Sequence, residues 1–284
     1  MKQVATYGTG RTRSRLLLVL SLLLCSCDEQ VDWDLLYQEV DLIVVEGKIT
    51  SEKRHHEVRL TRPVYEMNGI PEPVSGAQVE INDGRELFAL SEDPERPGIY
   101  VTDSLFAGEL NRYYQLRILY EHRRITAVTV MREVTPFQYM NVHPAASDST
   151  MLEAYISDSD EPAIVRLELD WSHLPGYDTL PDPDTHAVIY HYTLNGVDVN
   201  KSFKPPQEHV RFPRGTLVFR EKESVNARYG EFLRGVLSET DWRGGMFDVQ
   251  PGNARTNMEG AAIGFFTAAD VIRDTLVVDL VLQR

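Results

Sequence analysis

The sequence predicts a mainly β protein of two β-sandwich-like units, with one short amphipathic helix in the second unit. Three observations support this fold class. Short segments alternate apolar and polar residues with period two, which is typical of half-buried strands. Turn-forming residues separate these segments at spacings of about 10 to 20 residues, as expected for small antiparallel sandwiches. One stretch breaks the pattern, because its apolar residues recur at helical spacing.

The first unit is assigned to residues 40–134. Five segments in it carry apolar residues mainly on one face, and each is predicted to be a strand. These segments are Ile43–Ile49, Glu57–Thr61, Ala77–Asn82, Tyr114–Tyr120 and Ile125–Met131. Asp83-Gly84 follows the third segment as a turn signal. Gly76, just before that segment, is interpreted as a bulge or a residue with positive φ.

The second unit is assigned to residues 135–284. Its boundary is placed near residue 135 because the segment Met140–Glu161 is rich in Ser, Thr and acidic residues. Apolar alternation then resumes at four places, and each predicts a strand. They are Val165–Trp171, Val188–Leu194, the segment from Leu217 to Phe219, and Leu276–Leu282. Asn195-Gly196 predicts a hairpin turn after the second of them.

The helix is predicted near residues 226–238. Its apolar residues fall at i, i+3, i+4, i+7 and i+8, namely Tyr229, Phe232, Leu233, Val236 and Leu237. Ser224 or Asn226 is available as the N-cap. Gly230 and Gly235 each cost a helix about 1 kcal/mol relative to Ala. We therefore expect packing against a sheet to stabilise the helix.

Residues 1–26 are interpreted as an export signal peptide. Lys2 and three arginines precede the apolar stretch Leu16–Leu24, and no acidic residue lies among them. Nine helical residues span only about 14 Å, less than half of the roughly 30 Å hydrocarbon core. The stretch is therefore too short for a stable membrane span.

The sequence Leu24-Cys25-Ser26-Cys27 resembles a bacterial lipobox, and we predict lipid attachment at Cys27. A thiol is required there because a hydroxyl is too weak a nucleophile at neutral pH to accept the lipid. Residues 27–39 then form a lipidated tether. The alternative is an ordinary secreted protein with an unmodified cysteine pair. Cys25 and Cys27 are the chain's two cysteines, so no disulfide framework or Cys-based zinc site is expected in the fold.

The charge of the chain bears on its partners. The formal net charge is −14, and removal of residues 1–26 leaves 25 Lys and Arg against 43 Asp and Glu, a net −18. Nucleic acid is not an expected partner, because no basic run offers phosphate contacts. An anionic membrane surface would repel this body, so we expect attachment through the acyl chains. Asp28 and Glu29 resemble a signal for the outer face of the outer membrane, although a tether could contain them by chance.

No catalytic motif or metal-ligand spacing was recognised, so no enzyme activity, cofactor or metal is expected. His55-His56-Glu57 is interpreted as a polar edge, because consecutive strand residues point to opposite faces. The same argument separates His186 from His191. Three acids at Asp178, Asp182 and Asp184 could bind calcium, but they lack EF-hand spacing and are interpreted as a solvated loop.

Tyr190 and Tyr192 share one strand face. This face is expected to be the inner face of the sandwich. The alternative is an exposed face that stacks on sugars or on a partner protein.

A series of ordered segments points to a known family. They are Val44–Thr50, Pro71–Ala77 with Val79 and Ile81, Pro97–Tyr100, Phe106 with Gly108 and the run from Tyr114 to Ile118, Gly245–Asp248, Pro251, Asn253, Asn257 and Gly264–Ala268. Together they resemble the lipoprotein family known as domain of unknown function 4249, over roughly residues 40–284. Pro251 stands alone where the family often has several prolines, and Phe265 stands where Tyr is common.

The resemblance implies an envelope lipoprotein of a Gram-negative bacterium. It implies an immunoglobulin-like or carboxypeptidase-regulatory-like first domain, and association with TonB-dependent receptors. We therefore expect a non-enzymatic binding or accessory subunit at the outer membrane, paired with a TonB-dependent transporter. The alternatives are a surface carbohydrate- or peptide-binding adhesin and, third, a hydrolase. The face of the outer membrane that carries the protein is left open.

Overall fold

A computed structural model of the chain describes residues 41–278, apart from 65, 67, 138–139, 146–147, 156–160, 195–209 and 241–253. The described residues form sixteen strands, one α-helix and one short 3₁₀ helix at Asp182–Asp184. The mainly β prediction with a single α-helix is therefore confirmed for this part of the chain. No helix within it is long and apolar enough to cross a membrane.

The strands are numbered in chain order. They are β1 Ile43–Thr50, β2 Glu57–Thr61, β3 Gln78–Asn82, β4 Leu87–Glu92, β5 Ile99–Thr102, β6 Tyr113–Tyr120, β7 Arg123–Val130, β8 Asn141–Ala145, β9 Asp148–Tyr155, β10 Ala163–Asp170, β11 His186–Thr193, β12 Arg211–Pro213, β13 Leu217–Ser224, β14 Met258–Glu259, β15 Ala262–Ala269 and β16 Val271–Val277. The helix, α1, spans Ala227–Thr240 and lies between β13 and β14.

The largest sheet has nine strands in the order β14-β7-β6-β3-β4-β5-β2-β1-β15. Alternation in β1 and β6 turns one set of side chains inward, so Ile43, Val45, Leu116 and Ile118 are fully buried. The five strands predicted between residues 43 and 131 all belong to this sheet. Gly76 has φ +79°, which confirms the positive-φ interpretation.

Two strands from the C-terminal part of the chain complete this sheet. β15 pairs in parallel with β1, and β14 pairs antiparallel with β7. Asn257 joins the two ends of this sheet by bonding to both β7 and β15. Its side-chain Nδ2 donates to Val128 O of β7 (3.3 Å) and to Phe266 O of β15 (2.8 Å), and its Oδ1 accepts from Phe266 N (3.0 Å). The sheet is therefore partly barrel-like, and its strands come from both sides of residue 135. The division into units at that residue stays a prediction.

The remaining strands form two smaller sheets. One has the order β11-β10-β13-β16, and the other has the order β12-β9-β8. Leu152 and Phe212 of the three-stranded sheet are buried in one cluster with Val165 and Leu167 of the four-stranded sheet. β8 and β9 form a hairpin within the Ser- and Thr-rich segment Met140–Glu161. The composition of this segment predicts a boundary between units but no strands.

The helix α1 confirms the amphipathic prediction. Asn226 is the N-cap, since its Oδ1 accepts a hydrogen bond from the backbone N–H of Tyr229 at 3.0 Å. At Gly235 an added Cβ would lie 3.0 Å from Ala254 Cα, so glycine permits a close approach that offsets its low helix propensity. The predicted strands at 165–171, 188–194 and 217–219 are also confirmed. The Asn195-Gly196 turn, Leu280 and Leu282 lie outside the described residues.

Stability should fall in mild acid because of His56. Its ring is buried, donates from Nε2 to Phe106 O (3.0 Å) and accepts at Nδ1 from Thr50 N (3.4 Å). Burial lowers the pKa of His56 to about 4 from 6.5. The folded state therefore resists a proton that the unfolded chain accepts, so stability present above pH 6.5 is lost as the pH falls toward 4. Between pH 7 and pH 5 we expect the free energy of unfolding to drop by about 1 to 2 kcal/mol.

Urea unfolding at the two pH values measures this drop. His56→Gln should remove most of the difference between them, whereas the matched change at the exposed neighbour His55→Gln should preserve it. An equal pH dependence in the His56→Gln variant and the wild type would show that another group is responsible.

Candidate functional site

A groove of about 1050 Å³ opens on the outer face of the nine-stranded sheet, over β15, β1 and β2. Alternation creates its floor: the residues of β1 that face away from the core, Val44, Glu46 and Lys48, line the groove. The neighbouring strands contribute outward side chains in the same way. These are Glu57 and Arg59 from β2, and Ile263, Phe265 and Thr267 from β15.

One wall of the groove is the helix α1. Tyr229 and Phe232, one turn apart, pack against Phe265 with ring centroids 5.1 and 5.0 Å away. The apolar stripe predicted for this helix therefore lies against a sheet, as expected. Phe265 is covered by the contact, whereas Tyr229 and Phe232 stay partly exposed to the groove.

Charged side chains meet at the end of the groove nearest the four-stranded sheet. Lys48 Nζ lies 2.5 Å from Glu223 Oε2 of β13, and the Glu223 side chain is only 13% exposed. Arg59 lies 3.8 Å from Glu46, and both of these side chains are mostly exposed. The ion pair of Lys48 and Glu223 thus joins two sheets across 175 positions of sequence.

Tyr229 presents a hydroxyl donor beside these charges. Burial raises the pKa of Tyr229 to about 12, with further contributions from Glu223, Tyr192 and Glu46. The hydroxyl is therefore protonated at neutral pH. Within the described part of the chain it makes no hydrogen bond.

The outer face of the four-stranded sheet carries a second candidate surface. Tyr190, Tyr192 and Val188 of β11 share this face with Phe219 of β13 and Val277 of β16, and all five are at least 37% exposed. Residues paired across neighbouring strands point to the same side of a sheet. Glu168 of β10 pairs with both Val188 and Phe219, Arg166 pairs with Tyr190, and Leu217 of β13 pairs with Val277, so these residues share one side. We call these five residues the aromatic face.

The aromatic face corrects one expectation. Tyr190 and Tyr192 do share a strand face, but it is the exposed face, with Tyr190 55% accessible. The inner face of β11 is instead formed by Ile189, His191 and Thr193. Alternation fixes which residues share a side, whereas the packing of other elements decides which side is covered.

The histidines considered from sequence have structural contacts. His55 donates from Nδ1 to Thr102 O at 2.5 Å, while the His56 ring bonds to backbone groups at Thr50 and Phe106. His186 Nε2 lies 3.2 Å from Asp170 Oδ1, and His191 is buried on the opposite side of β11. The two pairs therefore do not converge on a common site.

The acidic loop is likewise not assembled into a site. Asp182 and Asp184 belong to the 3₁₀ helix, where the Asp182 side chain is 94% exposed. Among the described residues, no group of three or more His, Cys, Asp or Glu side chains is arranged to hold a metal ion. Cys27, the predicted lipid attachment site, lies outside these residues.

The sequence does not mark Glu46 and Lys48 of the groove, or Glu223, which pairs with Lys48 beside it. Charged residues at outward strand positions are ordinary, and nothing local marks them as members of one site. Tyr229 and Phe232 were recognised, but as a packing stripe. Their second role depends on β15, which lies about thirty residues further along the chain.

Comparison with known proteins gives one family. The family model described as "Domain of unknown function (DUF4249)" matches residues 28–275, which is most of the chain. No curated protein matches the chain.

Proposed function

Because the chain belongs to the family DUF4249, we propose that it is an envelope lipoprotein, anchored through acyl chains on Cys27. In this proposal it acts as a non-enzymatic binding or accessory subunit at the outer membrane of a Gram-negative bacterium. Its partner is a β-barrel receptor, a TonB-dependent transporter. The proposal uses no cofactor and no nucleic acid.

The aromatic face is the observation that carries this proposal. Large apolar side chains that cluster on an exposed surface mark interaction sites in soluble proteins. Tyr, Phe and Arg are enriched at protein interfaces, and Arg166 lies opposite Tyr190 on the neighbouring strand. The face also belongs to a chain of net charge −14, for which charge alone does not favour self-association.

The lipid anchor explains how the aromatic face could hold a partner with few contacts. An anchored protein and a membrane-embedded partner are confined to the same thin layer at the membrane surface, which raises their effective concentration. Contacts of modest affinity are then sufficient to hold the pair together. Because the chain is strongly acidic, we assign membrane attachment to the lipid and not to the protein surface.

We also propose that the chain forms two β-sandwich-like units, of which the first is immunoglobulin-like or carboxypeptidase-regulatory-like. Two separate hydrophobic clusters support it. One fills the nine-stranded sheet around Ile43 and Leu116, and the other lies between the two smaller sheets around Leu152 and Leu167.

Purification from membranes tests the accessory role. The tagged chain is extracted in detergent from the bacterium that makes it, and the captured proteins are identified by mass spectrometry. We expect a β-barrel receptor in near-equal amount. The double variant Tyr190→Ser/Tyr192→Ser should recover about tenfold less of it, since interface aromatics contribute most to binding.

Tyr113→Ser is the matched control, because Tyr113 is a 64% exposed tyrosine on the nine-stranded sheet. It should leave receptor recovery unchanged. Mass analysis of the N-terminal peptide should show acylation at Cys27. Repeated recovery of the chain alone, or an unmodified thiol at Cys27, would contradict the proposal.

The groove favours the second candidate function, a surface carbohydrate- or peptide-binding adhesin. Aromatic rings and polar groups converge there, as in ligand-binding sites. The aromatic face and the groove meet at Glu223, so one molecule could carry both activities.

A further inference from the structure

We propose that the groove over β15, β1 and β2 binds a neutral oligosaccharide. Tyr229, Glu46 and Lys48 would hydrogen-bond the hydroxyl groups of the sugar, and Phe232 would contact its apolar ring faces. This inference rests on the second candidate function, whose ligand it narrows to a neutral oligosaccharide, and it requires neither the lipid anchor nor the transporter of the accessory role.

The aromatic wall provides the apolar part of this recognition. Sugar rings present C–H groups on one face, and these pack well against aromatic rings. Tyr229 and Phe232 are aligned at an interplanar angle of 14°, with ring centroids 6.2 Å apart. Packing of both rings on Phe265 fixes their positions before any ligand binds.

The polar groups match hydroxyls, which both donate and accept hydrogen bonds. Lys48, whose ammonium is paired with Glu223 beside the groove, supplies a donor, and the carboxylate of Glu46 supplies an acceptor. Tyr229 adds a hydroxyl that makes no bond within the described part of the chain. A ligand rich in hydroxyls would satisfy these groups without introducing a charge.

Charge argues against an ionic ligand. The groove holds Glu46 and Glu57 beside Lys48 and Arg59, so the charges on its floor balance. The whole chain carries a net charge of −14, which disfavours phosphates, acidic sugars and other anions. A neutral molecule meets neither attraction nor repulsion at long range.

Strand pairing argues against a peptide. Peptides commonly bind by adding a strand to a free sheet edge. β1 lies between β15 and β2, and β2 lies between β1 and β5, so both strands have hydrogen-bonded neighbours on each side. β15 is the last strand of the sheet, but Asn257 bonds the backbone N–H and C=O of Phe266, and Thr256 Oγ1 donates to Gly264 O. The floor therefore offers side chains and not a free main-chain edge.

The size of the groove points to several sugar units. Pockets for single small molecules span about 300 to 1,000 Å³. This groove, at about 1050 Å³, slightly exceeds that range. A chain of linked sugars fits that volume better than one monosaccharide.

Isothermal titration of the full chain in detergent tests the proposal. The probes are neutral hexasaccharides of glucose, xylose, mannose and N-acetylglucosamine in their common linkages, with hexagalacturonate as the anionic comparison. We expect binding of at least one neutral probe. Tyr229→Phe, which removes one hydroxyl and keeps the ring, should weaken that binding about tenfold.

Glu46→Gln provides a second variant at a side chain that is 63% exposed, where we expect little effect on folding, and it should also weaken binding. Tyr113→Phe removes a hydroxyl outside the groove and should have no effect. Absence of binding to every neutral probe, tighter binding of hexagalacturonate, or unchanged affinity in both groove variants would each overturn the proposal. None of these results depends on acylation or on a captured receptor, so failure here is distinct from failure of the accessory role.

Discussion

Replacement of Gly264 by Ala is expected to lower the free energy of unfolding by about 4 kcal/mol, the largest effect of any single change considered. Gly264 has φ +99°, a conformation that L-residues rarely adopt. An added Cβ would lie 2.2 Å from the backbone oxygen of Val45. Gly264 and Val45 are register partners in the parallel pair of β1 and β15, so neither backbone can move without breaking that pair.

Gly76→Ala is the matched control for this change. Gly76 also has a positive φ, +79°, but a Cβ there would meet nothing within 4 Å. Only the backbone strain remains, and we expect a loss of about 1 kcal/mol. Urea unfolding of both variants, followed by circular dichroism, separates the two contributions. Equal losses would show that the contact with Val45 is not the cause.

Replacement of Asn257 by Asp should cost about 3 kcal/mol of stability. The change keeps an acceptor for Phe266 N but removes the Nδ2 donor that bonds Val128 O and Phe266 O. It also places a carboxylate beside two carbonyl oxygens. Because Asn257 links β7 to β15, the loss should loosen the closure of the nine-stranded sheet.

Asn82→Asp tests whether the charge alone is responsible. The Asn82 side chain is in an exposed turn, where its Oδ1 accepts from Gly84 N at 2.6 Å, and aspartate keeps that acceptor. We expect a change within about 0.5 kcal/mol there. Hydrogen exchange should show faster exchange at Phe266 N in the Asn257→Asp variant. Unchanged protection at Phe266 N would contradict the proposed linking role.

These two predictions concern residues in the C-terminal segments on which the resemblance to the family was based. Three residues hold β15 in place. Asn257 bonds the backbone of β15, Gly264 permits the close approach of β15 to β1, and Phe266 fills the core at 0% exposure. Phe265, between two of them, turns outward to the groove and packs under α1. These segments therefore hold β15 in the fold and also form part of the floor of the candidate site.

Local patterns were sufficient to predict much of the secondary structure. Alternation in Ile43–Thr50 and Ala163–Asp170, and the apolar stripe in Ala227–Thr240, reflect burial of one side of each element. Such patterns are visible in any window of a few residues. Seven strands were not predicted, namely β4, β5, β8, β9, β12, β14 and β15. β4 (LFALSE) and β15 (AIGFFTAA) carry apolar residues without a clear alternation, and β12 and β14 are only three and two residues long.

The candidate site could be predicted only in part. Tyr229, Phe232, Tyr190 and Tyr192 stood out as aromatic residues at regular spacing. Glu46, Lys48 and Glu223 did not, because each is one of many charged residues at an outward strand position. Their relation exists only where β1 and β13 come together.

The sequence by itself therefore determined the mainly β class, the position of the helix, and the sharing of one strand face by Tyr190 and Tyr192. The tertiary structure alone decided that this face is exposed, that β15 lies beside β1, and that Lys48 reaches Glu223. The physical reason is distance along the chain. Periodicity records how each segment meets an apolar interior, whereas the choice of neighbour depends on contacts between residues more than a hundred positions apart.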